Sequence, residues 1–128
     1  MADKVVDASA VVALLFNELA RDQVASRLRG ASLFAPILLP FEVASACLKK
    51  MRASPDERTV LLQAFAFFGR LSITWQPVDL SETIALAARS ELSLYDASYL
   101  WLANALDAEL VTLDDKLARA ARNFGSSA

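Results

Sequence analysis

The chain has 128 residues, with 15 acidic and 13 basic side chains, one cysteine and no histidine. This length is typical of one domain, so we expect residues 1–128 to form a single domain with a helix-rich core. Without histidine there is no imidazole base, no histidine metal ligand and no serine triad of the usual kind, which leaves oxygen-ligated Mg²⁺ or Mn²⁺ as the metals to expect. No apolar run reaches the roughly 18 residues of a membrane span, and Cys47 has no disulfide partner within the chain, so we expect a cytoplasmic protein.

Short apolar runs alternate with helix signals along the chain. Ser9 is a predicted N-cap, Gly30 is a predicted helix end, and Ser54 with Glu57 fits a capping box. Strands are predicted at residues 4–6, 32–36, 71–75 and 109–113. Helices are predicted at residues 9–16, 18–29, 40–52, 54–69, 81–90, 93–106 and 114–122. The alternation predicts a three-layer α/β/α fold, in which helices cover both faces of a short, mostly parallel sheet of four or five strands.

Four acidic residues stand at corresponding ends of these elements. Asp7 and Asp114 follow apolar strands, and Glu42 and Asp96 lie in the first turns of helices. The usable cleft of such folds lies outside the carboxyl ends of the strands, so the four side chains are predicted to converge there. Alone they would repel one another, and a divalent cation would remove that penalty. The pattern therefore predicts a site for Mg²⁺ or Mn²⁺.

Each of these acids also has a purely structural interpretation. Asp7 or Asp114 could cap the helix that follows it, and Asp96 fits a capping box. Glu42 lies on a helix face that any solvated surface could show. The helix behind Asp96 is apolar nearly all round, however, so this carboxylate points along a face that is otherwise buried. Because a buried carboxylate needs a partner, a functional role is favoured for Asp96.

Three blocks of the sequence resemble those of a known family. They are VVDASAVVALL at residues 5–15, PFEVASACLKK at 40–50 and LSLYDASYLWLANALDAELVTLDDKLA at 92–118. In order and spacing they are similar to the blocks of PIN-domain proteins, in particular the VapC-type ribonuclease toxins of bacterial toxin–antitoxin pairs. The resemblance covers nearly the whole chain.

The resemblance implies a PIN-like domain that acts as a metal-dependent endoribonuclease. By position, the implied catalytic residues and ligands of Mg²⁺ or Mn²⁺ are Asp7, Glu42, Asp96 and Asp114, with Ser9 and Thr112 as supporting polar side chains. It also implies an RNA substrate, a cognate antitoxin protein as partner, and a homodimer. Ser45 stands where an asparagine is frequent, and Asp115 adds an acid beside Asp114, so which of these two aspartates faces the metal stays open.

Contacts to an RNA backbone would need basic side chains near the cleft. The predicted residues are Lys49, Lys50, Arg52, Lys116, Arg119 and Arg122. A solvated helix face accounts for the same residues, and the formal charge of −2 decides little. Interleaved aromatic residues for base stacking are not evident, so no base preference is predicted.

Two segments carry more large apolar side chains than one helix face buries inward. They are residues 14–19 and residues 61–71, and the second contains Phe65, Phe67 and Phe68. Core packing is the default interpretation, and a groove for a partner such as the antitoxin is the alternative.

Two other functions fit parts of the pattern. A non-catalytic PIN-like binding module would bind a protein partner, but the full set of four acids argues against it. A receiver-like domain also binds Mg²⁺ in an acidic pocket. Such domains pair adjacent acids after the first strand, and Asp7 has no acidic neighbour.

Overall fold

Four parallel strands form the sheet of the computed structural model, which describes residues 2–125. The strands are β1 (Asp3–Val6), β2 (Ser32–Ala35), β3 (Ile73–Trp75) and β4 (Glu109–Val111). Their order in the sheet is β3-β2-β1-β4. The ends of the predicted domain, residue 1 and residues 126–128, lie outside the described residues.

Seven α-helices connect the strands within residues 2–125. They are α1 (Ala8–Leu15), α2 (Arg21–Leu28), α3 (Leu39–Ala53), α4 (Arg58–Ala66), α5 (Leu80–Ser90), α6 (Leu94–Leu106) and α7 (Asp115–Phe124). The helix α1 contacts α2 and α3, α3 also contacts α4, and α6 contacts α5, α7, β1 and β4. This arrangement confirms the predicted three-layer α/β/α fold. None of these helices is long and apolar enough to cross a membrane.

The centre of the sheet places two strand ends side by side. β1 has a neighbour on each side, and its Val5 and Val6 are fully buried. Val6 is in register with Val111 of β4, so the residues that follow these two valines leave the sheet together. Burial of such side chains contributes roughly 1.5–3 kcal/mol each, which fixes the register. The paired ends of β1 and β4 therefore fix the positions at which Asp7 and Thr112 leave the sheet.

The N-terminus of α1 differs from the prediction. Asp7, not Ser9, is its N-cap, because an Asp7 carboxylate oxygen accepts a hydrogen bond from the backbone N–H of Ala10. Ser9 lies inside the first turn, where its hydroxyl is free to contact other elements. The prediction of a Ser9 cap is therefore wrong, and the alternative prediction of an Asp7 cap is confirmed.

Two further helix starts also differ. α2 begins at Arg21 and not near residue 18, because Asn17 has a φ of 54° and turns the chain before the helix. The predicted capping box of Ser54 and Glu57 does not form. Residues Pro55–Glu57 make a 3₁₀ turn instead, and the Ser54 side chain makes no capping hydrogen bond.

Candidate metal centre

A buried carboxylate lies where β1 ends. Asp7 is only 5% exposed, and it directly follows Val6. Its Oδ1 accepts hydrogen bonds from the Ser9 hydroxyl at 2.8 Å and from the Ala10 N–H at 3.1 Å. Its Oδ2 accepts from the Thr112 hydroxyl at 2.5 Å. These donors stabilise the ionised form of a group that burial disfavours.

The two predicted supporting residues join Asp7 to the end of β4. Thr112 follows Val111, so the register of the sheet places it opposite Asp7. The Ser9 hydroxyl accepts from the Leu113 N–H at 2.8 Å, and the Thr112 hydroxyl accepts from the Asp114 N–H at 3.0 Å. Both hydroxyls therefore hold the backbone that leads to Asp114 as well as the Asp7 carboxylate.

Asp114 lies beyond Thr112 and Leu113, which follow the last residue of β4. It is the N-cap of α7, since its Oδ1 accepts from the Leu117 N–H at 2.9 Å. Asp115 is the first residue of α7 and is exposed, as predicted. Of the two aspartates, Asp114 is the one whose charge contributes to the raised pKa of Asp96.

Asp96 lies in the first turn of α6. Ser93 caps this helix by accepting from the Asp96 N–H at 3.0 Å, which confirms the predicted helix start. The carboxylate is half-buried, and Leu100 and Ala103 along the same face are buried. The apolar face that the sequence predicts behind Asp96 is therefore present.

Glu42 lies in the first turn of α3 and is half-buried. Its Oε1 accepts a hydrogen bond from the Tyr99 hydroxyl at 2.5 Å, across 57 residues of sequence. Glu42 therefore has a partner within the fold, while Ser45 and Lys49, which share its helix face, are exposed as the solvated-face interpretation expects. Tyr99 is the residue of this site that the sequence interpretation missed, because it was counted only as part of the apolar face of its helix. Its spacing of three residues from Asp96 is the signal that could have pointed to it.

The carboxylates act on one another electrostatically. Burial is the largest cause that raises the pKa of Asp7, Glu42 and Asp96. The charge of Asp96 raises the pKa of both Asp7 and Glu42 further, and Asp114 does the same to Asp96. Since such effects fall off with distance, Asp96 lies near each of the other three predicted acids.

The chemistry of these side chains suits a hard divalent cation. All four offer carboxylate oxygens, which Mg²⁺ and Mn²⁺ prefer, and a cation would offset the repulsion that raises their pKa values. Within residues 2–125, no three acidic or cysteine side chains meet closely enough to form a complete ligand set. An open arrangement fits an ion that keeps several water ligands, as Mg²⁺ does.

The predicted basic residues divide into two groups. On α7, the charge of Lys116 partly offsets the rise in the pKa of Asp96, so the two side chains lie near each other. Lys116 and Arg119 are both exposed. On α3, Lys49 and Arg52 are exposed as well. Lys50 is engaged elsewhere, because its ammonium group pairs with Glu18 at 2.7 Å and lies 5.5 Å from the ring centre of Phe16.

Known proteins are similar to this chain in sequence and in fold. A family model described as PIN domain matches residues 4–123. Ribonuclease VapC9 of Mycobacterium tuberculosis is 37% identical over 114 residues, which span 88% of this chain and 87% of that protein. Ribonuclease VapC3 of Pyrobaculum aerophilum is 34% identical over 119 residues, which span 89% of this chain and 91% of that protein. The crystal structure of PAE2754 from Pyrobaculum aerophilum has a TM-score of 0.66 and 24% identity, covering 93% of this chain and 86% of that one.

The matched residues 4–123 include all four acids and, apart from Asp3, every residue of the four strands. The chain therefore belongs to the PIN-domain family. Its identity to full-length VapC proteins places it among the VapC-type members of that family. The resemblance predicted from the three sequence blocks is confirmed.

Proposed function

We propose that this protein is a metal-dependent endoribonuclease that acts as the toxin of a toxin–antitoxin pair. The observation that carries the proposal is the electrostatic effect of Asp96 on Asp7 and Glu42, and of Asp114 on Asp96, beside the carboxyl ends of β1 and β4. The names of the relatives support RNA as substrate, since they are called ribonucleases. A non-catalytic module would have no need to keep three carboxyl groups in positions that raise their pKa values.

The residues of the site have distinct roles in this proposal. Asp7, Asp96 and Asp114 would hold the cation directly or through water, and Glu42 would be a further ligand or would orient the attacking water. Ser9 and Thr112 fix the Asp7 carboxylate through the hydrogen bonds described above. A bound Mg²⁺ or Mn²⁺ supplies Lewis acidity for phosphodiester hydrolysis. Lys116 and Arg119 are the best-placed candidates for phosphate contacts, because α7 begins beside the acids.

The catalytic proposal is tested by cleavage of a panel of RNAs with Mg²⁺, with Mn²⁺ and with chelator. We expect cleavage only with metal, and loss of cleavage in Asp96→Asn. Asp115→Asn is the matched control, since it makes the same change at an exposed acid that is not assigned to the site. Cleavage that resists chelator, or an active Asp96→Asn variant, would overturn the mechanism. RNA that stays intact with both metals would favour the non-catalytic binding module.

An apolar groove supports the antitoxin part of the proposal. It has a volume of about 620 Å³ and is lined by Leu14, Leu15, Asn17, Arg21, Phe67, Arg70 and Leu71. Phe67 is 53% exposed although it is aromatic, and the Arg70 guanidinium lies 4.8 Å from its ring centre. We propose that an apolar segment of the antitoxin with acidic flanks binds here, because two arginines border the apolar floor.

The groove is tested by co-expression with the neighbouring small gene product. We expect it to suppress toxicity of the wild type and to suppress that of Phe67→Ser poorly. Val60→Ser is the control, since Val60 is 63% exposed on α4 and does not line the groove. Unchanged toxicity on co-expression would count against the pairing, and equal suppression of both variants would place the antitoxin elsewhere.

A homodimer and a cytoplasmic location complete the proposal. Exposed apolar side chains beside and on α3, among them Ile37 and Phe41, support self-association. Light scattering in solution should give twice the mass of the chain, and the mass of one chain would contradict the dimer. Cys47 is a free, buried thiol, which suits a reducing compartment.

A further inference from the structure

Tyr99 joins the centre of α6 to the first turn of α3. Its side chain is 1% exposed, so its hydroxyl needs a partner inside the protein. That partner is Glu42 Oε1, at 2.5 Å. Among the side-chain hydrogen bonds of residues 2–125, the Tyr99 hydroxyl is the donor to the Glu42 carboxylate.

The direction of this hydrogen bond matters because of what surrounds Glu42. Asp7 and Asp96 both repel its charge, so the carboxylate would gain by turning away from them towards solvent. Asp96 and Tyr99 are three residues apart on α6 and therefore lie on one side of the helix. One face of α6 thus carries both Asp96 and the Tyr99 hydroxyl that donates to Glu42.

We propose that Tyr99 is a positioning residue, which fixes Oε1 of Glu42 and leaves Oε2 as the oxygen directed to the cation or its water ligand. This inference rests on the proposed metal site, and it adds a residue outside the set of four acids. A charge-assisted hydrogen bond from a phenol to a carboxylate is short and strong, so it can offset the repulsion from the other acids. Partners of this kind in metal sites typically change metal affinity by about 10–100-fold when they are removed.

A buried tyrosine that merely satisfies its hydroxyl is the alternative. In that case removal of the hydroxyl would lower the free energy of unfolding and leave the cation affinity unchanged. The two interpretations therefore differ in a quantity that does not depend on RNA cleavage.

The first experiment is a double-mutant cycle on Mn²⁺ affinity, measured by electron paramagnetic resonance of free Mn²⁺. Tyr99→Phe keeps the ring and its packing, and we expect it to weaken Mn²⁺ binding by about 10-fold. In the Glu42→Gln background the same change should cost little further affinity, since the carboxylate that Tyr99 holds is gone. Tyr95→Phe is the matched control, because Tyr95 is on the same helix and 62% exposed.

The second experiment does not depend on the Tyr99 variant being folded. The chain has two tyrosines, so Tyr95→Phe leaves Tyr99 as the one tyrosine signal in a protein labelled with ¹³C at the phenol carbon. We expect Mg²⁺ to shift this signal, because it neutralises the Glu42 carboxylate, and we expect the shift to disappear when Glu42→Gln is added.

The outcomes separate this inference from the proposed function. Normal Mn²⁺ binding by Tyr99→Phe, an equal loss in the Glu42→Gln background, or a Tyr99 signal that ignores Mg²⁺ would each overturn the positioning role while the metal site stands. A wild-type chain that binds no Mn²⁺ would overturn the metal site itself, and the inference with it.

Discussion

Replacing Asp7 by asparagine or by alanine separates its structural role from its role in metal binding. Asparagine keeps an oxygen that can accept from the Ala10 N–H, and asparagine and aspartate are about equally good N-caps. Its amide nitrogen would take the place of Oδ2 and donate to Thr112, whose hydroxyl can then turn to Ser9 at 3.3 Å. Alanine removes every one of these acceptors.

The expected changes in stability follow from these contacts. For Asp7→Ala, loss of the N-cap costs about 1 kcal/mol. An unpaired buried hydroxyl costs roughly 1–3 kcal/mol more, so the fold should lose roughly 2–4 kcal/mol. Asp7→Asn instead removes the negative charge of a carboxyl group whose pKa is raised by burial. Because the charged form is disfavoured in the folded protein, we expect metal-free Asp7→Asn to be more stable than the wild type at neutral pH.

Thermal unfolding with chelator and with excess Mn²⁺ measures both effects. With chelator, Asp7→Asn should melt above the wild type and Asp7→Ala below it. With Mn²⁺ at about one hundred times its Kd, the wild type should gain about 2.7 kcal/mol. Both variants should gain much less, so the wild type should become the most stable protein. Equal losses for the two variants with chelator would refute the claim that the buried charge destabilises the metal-free fold. An unchanged Mn²⁺ effect in Asp7→Asn would refute its role as a ligand.

Three further predictions concern the same site. The metal-free protein should lose stability as the pH rises, because the pKa of Asp7 is higher in the folded than in the unfolded chain. The stabilisation from protonated Asp7 is fully present below the unfolded-state pKa of 3.8, and it is lost as the pH rises through the folded-state pKa. Chelated melts at several pH values should show this slope, and Asp7→Asn should flatten it. Thr112→Val should weaken Mn²⁺ binding about 10-fold, whereas Thr83→Val, at a buried threonine bonded to the Asp79 carbonyl, should lower only the melting temperature. Lys116→Met should weaken RNA binding and reduce its salt dependence, measured by anisotropy, whereas Lys50→Met should change it little because Glu18 already engages Lys50.

The strand ends could be predicted from the sequence because local and global signals agree there. Short apolar runs that stop at a polar residue predict buried parallel strands, and parallel strands bring their carboxyl ends to one edge. The positions of Asp7 and Asp114 follow from that rule, whereas Thr112 was predicted inside the last strand and entered the site only through the family resemblance. The register of Val6 with Val111 places Thr112 opposite Asp7. Helix starts were less predictable, since Ser9 and Ser54 are good N-cap residue types that do not cap here.

Contacts between distant helices could not be predicted from local pattern. The Tyr99–Glu42 hydrogen bond depends on how α6 packs beside α3, and the Lys50–Glu18 ion pair depends on how the turn between α1 and α2 lies beside α3. In a helix that is apolar nearly all round, a tyrosine looks like any other core side chain until its hydroxyl partner is known. A lysine on a helix face likewise looks free until the neighbouring turn is placed beside it.

In this structure, helix capping and metal binding are compatible roles for Asp7 and Asp114. Helix capping and metal binding look like alternatives for Asp7 and Asp114, yet a carboxylate has two oxygens. Asp7 caps α1 through Oδ1 and Asp114 caps α7 through Oδ1, while Tyr99 engages only Oε1 of Glu42. Capping uses one oxygen of each aspartate to fix the side chain beside a helix N-terminus, where negative charge is favoured. The second oxygen of Asp7 is held in turn by the Thr112 hydroxyl. The caps are therefore part of how this fold would hold several carboxylates close together before any cation binds.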